Sequence, residues 1–155
     1  SMKRKRVLRA VLAALVGLLL LAGLLAWRLV PGYASALRLN WGISLPILAR
    51  PSLCYEADSG PSFHGDGIRY HVFSYQYEDP VSLMFAWGSV ERETIYCDSY
   101  REAAEAWLDE IQVPAGDRPD YDGCLYWYRA QEDNSELLVF WDAEQNRLYF
   151  LESFL

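Results

Sequence analysis

The chain has 155 residues, of which 52 % are hydrophobic, and its formal net charge is −7. This composition is too apolar for a disordered chain, and the length beyond residue 30 suffices for one ordinary domain. Six of the 14 basic residues and none of the 21 acidic ones lie in residues 1–30, so that segment carries +6 and the remainder −13. Because a domain at −13 repels phosphate, the charge argues against nucleic acid as a partner.

The N-terminal segment has the pattern of a membrane anchor. Four consecutive cations, residues 3–6, precede an uncharged run at 10–27. At about 1.5 Å per residue, this run is long enough to cross a hydrocarbon layer of roughly 30 Å. Since most flanking cations precede the run, we expect a single-pass protein of the cell membrane with a cytoplasmic N-terminus and its C-terminal domain outside. The side chains predicted at the two membrane interfaces are Arg9, Trp27, Arg28 and Tyr33.

A cleaved signal peptide is the alternative interpretation of this segment. Pro31 and Gly32 would end the helix, and the sequence 34–36 is a small-x-small pattern that permits cleavage after Ala36. The apolar run is longer than the roughly 7 to 15 residues of a signal-peptide core, and Arg28 lies just before the cleavage site. Both features favour a retained anchor.

The sequence divides into three segments. Residues 1–30 form the basic N-terminus and anchor, residues 31–51 a juxtamembrane linker or short helix, and residues 52–155 an extracytoplasmic domain. Cys54, Cys97 and Cys124 follow the anchor. Outside the cytoplasm two of them could form a disulfide; alternatively, all three are small buried residues.

Strand patterns dominate the third segment. Turn-forming residues at 60–67 separate two β-prone runs, Leu53 to Ala57 and Ile68 to Glu78, which predicts a hairpin. The runs 81–87 and 94–97 are shorter strand candidates. Three further runs are joined by short polar links and predict an antiparallel meander: Cys124 to Ala130, Glu136 to Asp142 and Arg147 to Phe154.

One helix is predicted between these strands. Ser99, as N-cap, and Glu102 form a capping box, and Pro114 ends the helical pattern. Its apolar stripe consists of Tyr100, Ala103, Ala104, Trp107, Leu108 and Ile111. The predicted fold is therefore α+β: a single N-terminal transmembrane helix, then a small antiparallel sheet domain with one amphipathic helix packed on one face.

Signatures of catalysis are scarce. The chain lacks the common nucleophile, phosphate-loop and zinc-protease motifs, and no lysine follows Lys5, which excludes Schiff-base chemistry beyond the anchor. His64, Asp66 and His71 are the candidate metal ligands because imidazole and carboxylate groups could converge around the predicted hairpin turn. The alternative is that Asp66 bonds backbone amides within the turn. No cofactor is implied.

Aromatic residues are concentrated in the exported part, where 22 of the 23 lie beyond the membrane run. On the meander they alternate so that both sheet faces carry rings, whereas one helix can cover only one face. Either other parts of the chain cover the second face or a protein partner does. The candidate partner-binding residues are Tyr126, Trp127, Tyr128, Phe140 and Trp141.

These features predict a non-enzymatic single-pass membrane protein whose acidic, aromatic-rich external domain binds a protein partner. An accessory subunit of a membrane complex and an immunity-type protein against a secreted toxin both fit. The alternative is a metal-dependent or carbohydrate-directed enzyme of the cell envelope that uses His64, Asp66 and His71.

Overall fold

The computed structural model describes residues 2–29, 32–45, 51–62, 65–76 and 100–155. The chain divides into two compact units, Ser1–Ser44 and Leu45–Leu155.

The first unit contains two helices, α1 (Met2–Leu29) and α2 (Gly32–Trp41). Within α1, the stretch Met2–Leu25 is long and apolar enough to cross a membrane, and none of it is buried. Its length and composition are those of a transmembrane or signal helix. Helix α2 buries residues at the helical spacing of 34, 37 and 41. It ends where Gly42 adopts a φ of 70° and donates its amide hydrogen to the Arg38 carbonyl.

The second unit confirms the α+β class. It contains a five-stranded antiparallel sheet in the order β1-β2-β5-β4-β3. The helix α3 (Arg101–Glu110) precedes two short 3₁₀ turns, Ala115–Asp117 and Tyr121–Gly123. The strands are β1 (Ser52–Asp58), β2 (Gly67–Ser74), β3 (Cys124–Ala130), β4 (Glu136–Asp142) and β5 (Arg147–Phe154).

The meander has the predicted bounds because its turns are specified locally. Asn134 and Asn146 occupy left-handed conformations, with φ values of 65° and 51°, that asparagine tolerates better than most residues. In the β4–β5 turn, the Asp142 carboxylate accepts hydrogen bonds of 3.0 Å from the amides of Glu144 and Gln145. The β3–β4 and β4–β5 turns are thus specified by residues within the turns themselves.

The β1–β2 hairpin is also confirmed, but its second strand ends at Ser74, before the predicted end. Ser74 pairs with Arg147, the first residue of β5. After Ser74, β2 therefore has no β5 residue to pair with. The Tyr75 amide makes one more bond, 2.9 Å long, to the Asn146 carbonyl. The strand candidates 81–87 and 94–97 lie outside the described residues.

Helix α3 begins and ends differently from the capping prediction. Its N-cap residue is Tyr100, one position after the predicted Ser99, which lies outside the described residues. At the other end Gln112 adopts a φ of 57°, and two backbone bonds close a Schellman motif, from Val113 to Leu108 and from Gln112 to Asp109. The helix therefore ends before Pro114 is reached.

The core lies between α3 and one face of the sheet. Ala104 and Leu108 of α3 are fully buried against rings and aliphatic side chains of the four strands β2 to β5. Alternate strand residues form this face because successive side chains point to opposite sides. The sheet residues of the core are Ile68, Tyr70, Val72, Cys124, Tyr126, Leu138, Phe140, Tyr149 and Leu151.

The opposite face of the sheet is buried as well. Phe73, Leu148 and Phe150 have no exposed surface, and Val139 has 1 %. Phe73 and Phe150 pack edge to face with their ring centroids 6.0 Å apart. The centre of this second face is thus apolar and inaccessible, whereas Leu125, on the edge strand β3, is exposed.

Candidate partner-binding surface

Helix α3 separates apolar from acidic side chains. Ala104 and Leu108 point into the core, whereas Glu102, Asp109 and Glu110 are exposed. At 100° per residue these three carboxylates share the side of the helix that faces away from the sheet. The outer surface of α3 is therefore negatively charged.

Arg118 attaches this acidic side of α3 to the following loop. Its guanidinium lies 2.7 Å from both the Glu105 and Asp109 carboxylates, and its Nε donates to the Val113 carbonyl at 2.8 Å. The Tyr121 hydroxyl donates to the other Glu105 oxygen at 2.6 Å. Arg118 thus neutralises part of the carboxylate charge, and Glu102 and Glu110 remain outside these bonds.

Four half-buried aromatic residues lie beside the core: Tyr55 on the edge strand β1, and Tyr100, Trp107 and Tyr128, which we call the aromatic stripe. Tyr100 and Tyr128 stack with centroids 4.5 Å apart and planes 20° from parallel. Trp107 follows Tyr100 by seven residues, two turns along the same side of the helix. Each ring thus has one part packed on the core and another part open to solvent.

Two tyrosines, Tyr128 of the stripe and Tyr121, donate hydrogen bonds to carboxylates. The Tyr128 hydroxyl donates to Glu136 at 2.6 Å, and this bond, with burial, raises the pKa of Tyr128 to about 12. Burial and the bond to Glu105 raise the pKa of Tyr121 above its usual range. These hydroxyls are therefore fixed donors, and the negative charge of the surface stays on the carboxylates.

Most of the aromatic residues predicted to bind a partner are buried within the chain. Tyr126 and Phe140 belong to the core beneath α3, and Trp127 and Trp141, each 4 % exposed, lie on the opposite face. Tyr128 is the member of the predicted set that is partly exposed.

The predicted metal ligands are not brought together in the described part of the chain. His64 lies outside it, Asp66 is exposed just before β2, and His71 lies within β2. The His71 imidazole is 13 % exposed and faces Glu56 of β1, with 3.8 Å between Nε2 and Oε2. Among the described residues, no group of three or more His, Cys, Asp or Glu side chains could hold a metal ion.

The described cysteines are free thiols in different environments. Cys54 is exposed on β1, whereas Cys124 is buried on β3. Burial, with Asp142 and Asp120 nearby, raises the pKa of the Cys124 thiol to about 12, so it is protonated at neutral pH. Cys97 lies outside the described residues.

The predicted membrane-interface residues occupy the two helices of the first unit. Arg9 is exposed on α1, and Trp27 and Arg28 belong to its last turn. Tyr33 is half-buried near the start of α2. Their contact with lipid stays a prediction.

Sequence reasoning missed Arg118 and the exposure of Tyr100 and Trp107. Arg118 is a lone cation in a loop, and nothing in its spacing indicates bonds to Glu105 and Asp109. The helical period groups Tyr100 and Trp107 with Leu108, so the sequence predicts all three on the buried, apolar side of the helix. Both residues lie at the margin of that apolar side, and this position is the feature of the sequence that indicates partial exposure.

Comparison of the chain with family models, with curated proteins and with solved structures gives no match. Its function is therefore argued from its own residues.

Proposed function

We propose that the chain is a non-enzymatic, single-pass membrane protein whose acidic domain lies outside the cytoplasm and binds a protein partner with a basic surface. Two roles fit this proposal, an accessory subunit of a membrane complex and an immunity-type protein against a secreted toxin, and the identity of the partner distinguishes them. The observation that carries the binding proposal is the aromatic stripe, which is half-exposed and has the exposed Glu110 carboxylate one helical turn from Trp107.

The membrane part of the proposal is supported by α1. The stretch Met2–Leu25 contains an apolar run that is unburied, and such a surface is unfavourable in water and suits a lipid environment. The cations before the apolar run outnumber those directly after it, which favours a cytoplasmic N-terminus.

The binding part is supported by the chemistry of the stripe. Tyrosine and tryptophan contribute much contact area with few rotatable bonds, and interface centres are enriched in them. Glu110 lies one turn from Trp107, and Glu102 is exposed on the outward side of the same helix. Both carboxylates would attract a basic partner over a distance of about one Debye length, ~8 Å at physiological salt.

Site-specific crosslinking tests this surface. A photoreactive amino acid replaces Glu102 or Glu110 in the full chain, and Glu144, exposed in the β4–β5 turn, provides the matched control. We expect one partner to be crosslinked in membranes of the native host from the two α3 positions and not from position 144. A membrane protein as the partner assigns the subunit role, and a secreted basic protein assigns the immunity role.

Binding measurements with the identified partner complete the test. Glu102→Gln with Glu110→Gln should weaken binding about tenfold and reduce its salt dependence, because two attractive charges are removed while the core is unchanged. Glu132→Gln with Glu144→Gln removes the same charge elsewhere on the exposed surface. Equal crosslinking from all three positions, or equal affinity of the two double variants, would refute this binding surface.

A further inference from the structure

The first two turns of α1 contain a concentration of positive charge. The helix begins at Met2, and its first turn contains no acidic residue. Every cation of this segment is exposed: Lys3, Arg4, Lys5, Arg6 and Arg9. We call these five residues the basic cluster.

Cations in this position oppose the electrostatics of the helix itself. The first four amide hydrogens of a helix have no intrahelical acceptor, and the N-terminus carries about half a positive charge. Anionic side chains usually stabilise this end, whereas here four of the first five helical residues are cations. These cations also repel one another. Phosphate oxygens accept bonds from both amides and cationic side chains, so a phosphate group suits this end of α1.

The arrangement around the helix axis distinguishes a lipid from a protein ligand. Consecutive residues differ by 100°, so residues 3 to 6 point to all sides of α1 rather than to one face. A protein docks on one face of a helix, but a headgroup layer surrounds a helix that crosses it. Along the axis, Lys3 and Arg9 are about 9 Å apart, similar to the roughly 5–8 Å depth of a headgroup layer.

The cluster also continues directly into apolar surface. Lys3, Arg4 and Lys5 are followed on the surface of α1 by Val7, Leu8 and Val11, and all six side chains are exposed. Cationic groups at one end and aliphatic groups at the other match a molecule with a phosphate head and a hydrocarbon tail.

We infer that the basic cluster binds the phosphate headgroups of anionic phospholipids and selects them over zwitterionic lipids in the leaflet around the start of α1. This inference rests on the membrane anchor of the proposed function and is independent of the protein partner. Zwitterionic lipids also have a phosphate, but their ammonium group is repelled by the same cations, which is the physical basis of the selection.

The test uses the full chain reconstituted in phosphatidylcholine bilayers that contain a minority of phosphatidylglycerol. Electron spin resonance of spin-labelled lipids measures how strongly each lipid associates with the protein. We expect phosphatidylglycerol to be favoured about fivefold, the factor for ~1 kcal/mol. High salt should reduce this preference because it screens exposed charges.

Two variants identify the source of the preference. Replacing the five residues of the basic cluster together by glutamine should reduce the preference close to one, whereas Arg38→Gln, an exposed cation of α2, should leave it unchanged. Circular dichroism checks that both variants remain folded. Incorporation of the wild-type chain without lipid preference, or a preference that survives replacement of the whole basic cluster, would overturn the inference and leave the anchor intact. A chain that incorporates into no bilayer would refute the anchor of the proposed function as well.

Discussion

At the end of α3, Gln112 occupies a backbone conformation that glycine adopts without steric cost. Its φ is 57°, and both Schellman bonds depend on it. We expect Gln112→Gly to stabilise the domain by ~0.5–1 kcal/mol, since relief of strain exceeds the added entropy of the unfolded chain. Urea unfolding of the two proteins measures the change. Gln145→Gly, in a turn position without positive φ, is the control and should not stabilise.

His71 makes stability depend on pH. Burial lowers its pKa to about 4; Arg69 acts in the same direction, and Asp58 opposes it. A histidine in the unfolded chain titrates near 6.5, so between about pH 6.5 and 4 the unfolded state binds a proton that the folded state does not. The free energy of unfolding therefore falls as the pH is lowered through this window.

Between about pH 7 and pH 4.5, the free energy of unfolding should fall by ~2 kcal/mol less in the His71→Gln variant than in the wild type. Urea unfolding at the two pH values measures both losses, and carboxylate titrations common to the two proteins cancel in the difference. Equal losses would show that His71 is not the titrating group. An NMR titration of the His71 ring checks its pKa directly.

Among the elements, α3 is held to the rest of the domain by Arg118 as well as by its apolar side. The three groups that Arg118 contacts belong to α3 and to the loop directly after it. We expect Arg118→Gln to destabilise the domain by ~1–2 kcal/mol, because charged hydrogen bonds to a mostly buried guanidinium are lost. Thermal or urea unfolding measures the loss.

Two further variants separate this contact from charge alone. Arg101→Gln removes an exposed cation that is 3.6 Å from Asp122, and its effect should stay below ~0.5 kcal/mol. Arg118→Lys keeps the charge but cannot reach Val113 and two carboxylates together, so it should restore little stability. Full stability of the lysine variant would refute the geometric explanation.

For the molecule as a whole, burial of both sheet faces determines which rings are structural. Phe140 on one face and Trp127 on the other are 0 % and 4 % exposed. We expect alanine at either position to destabilise the domain by ~3–5 kcal/mol through lost burial and a residual cavity. Urea unfolding measures both changes. A Trp127→Ala protein with an unchanged unfolding midpoint would instead indicate a face that is open in solution.

The proposed orientation in the membrane predicts the reactivity of Cys54. In a Cys97→Ser background, an impermeant maleimide should label Cys54 in intact cells, because it is exposed and its domain is placed outside the cytoplasm. Cys124 is buried and should react after denaturation, which provides the internal control. Labelling of Cys54 that requires cell lysis would contradict this orientation. Mass spectrometry of the same protein shows whether α1 is retained.

Local sequence patterns were sufficient to predict the apolar helix, the α+β class and the bounds of three strands. Each depends on residues close in the chain: an uncharged run for α1, alternation for the strands, and Asn134, Asn146 and Asp142 for the turns. The same patterns placed the stripe residues Tyr100 and Trp107 on the correct helix.

The tertiary structure decided which of these side chains are accessible. Period-two alternation places Tyr126 and Trp127 on opposite faces of β3, but their burial depends on what packs over each face. Tyr128 stacks on Tyr100, 28 positions away in the chain, and Arg118 contacts α3 across a turn. Such contacts result from the packing of whole elements, which no local pattern encodes, and they determine where the candidate surface lies.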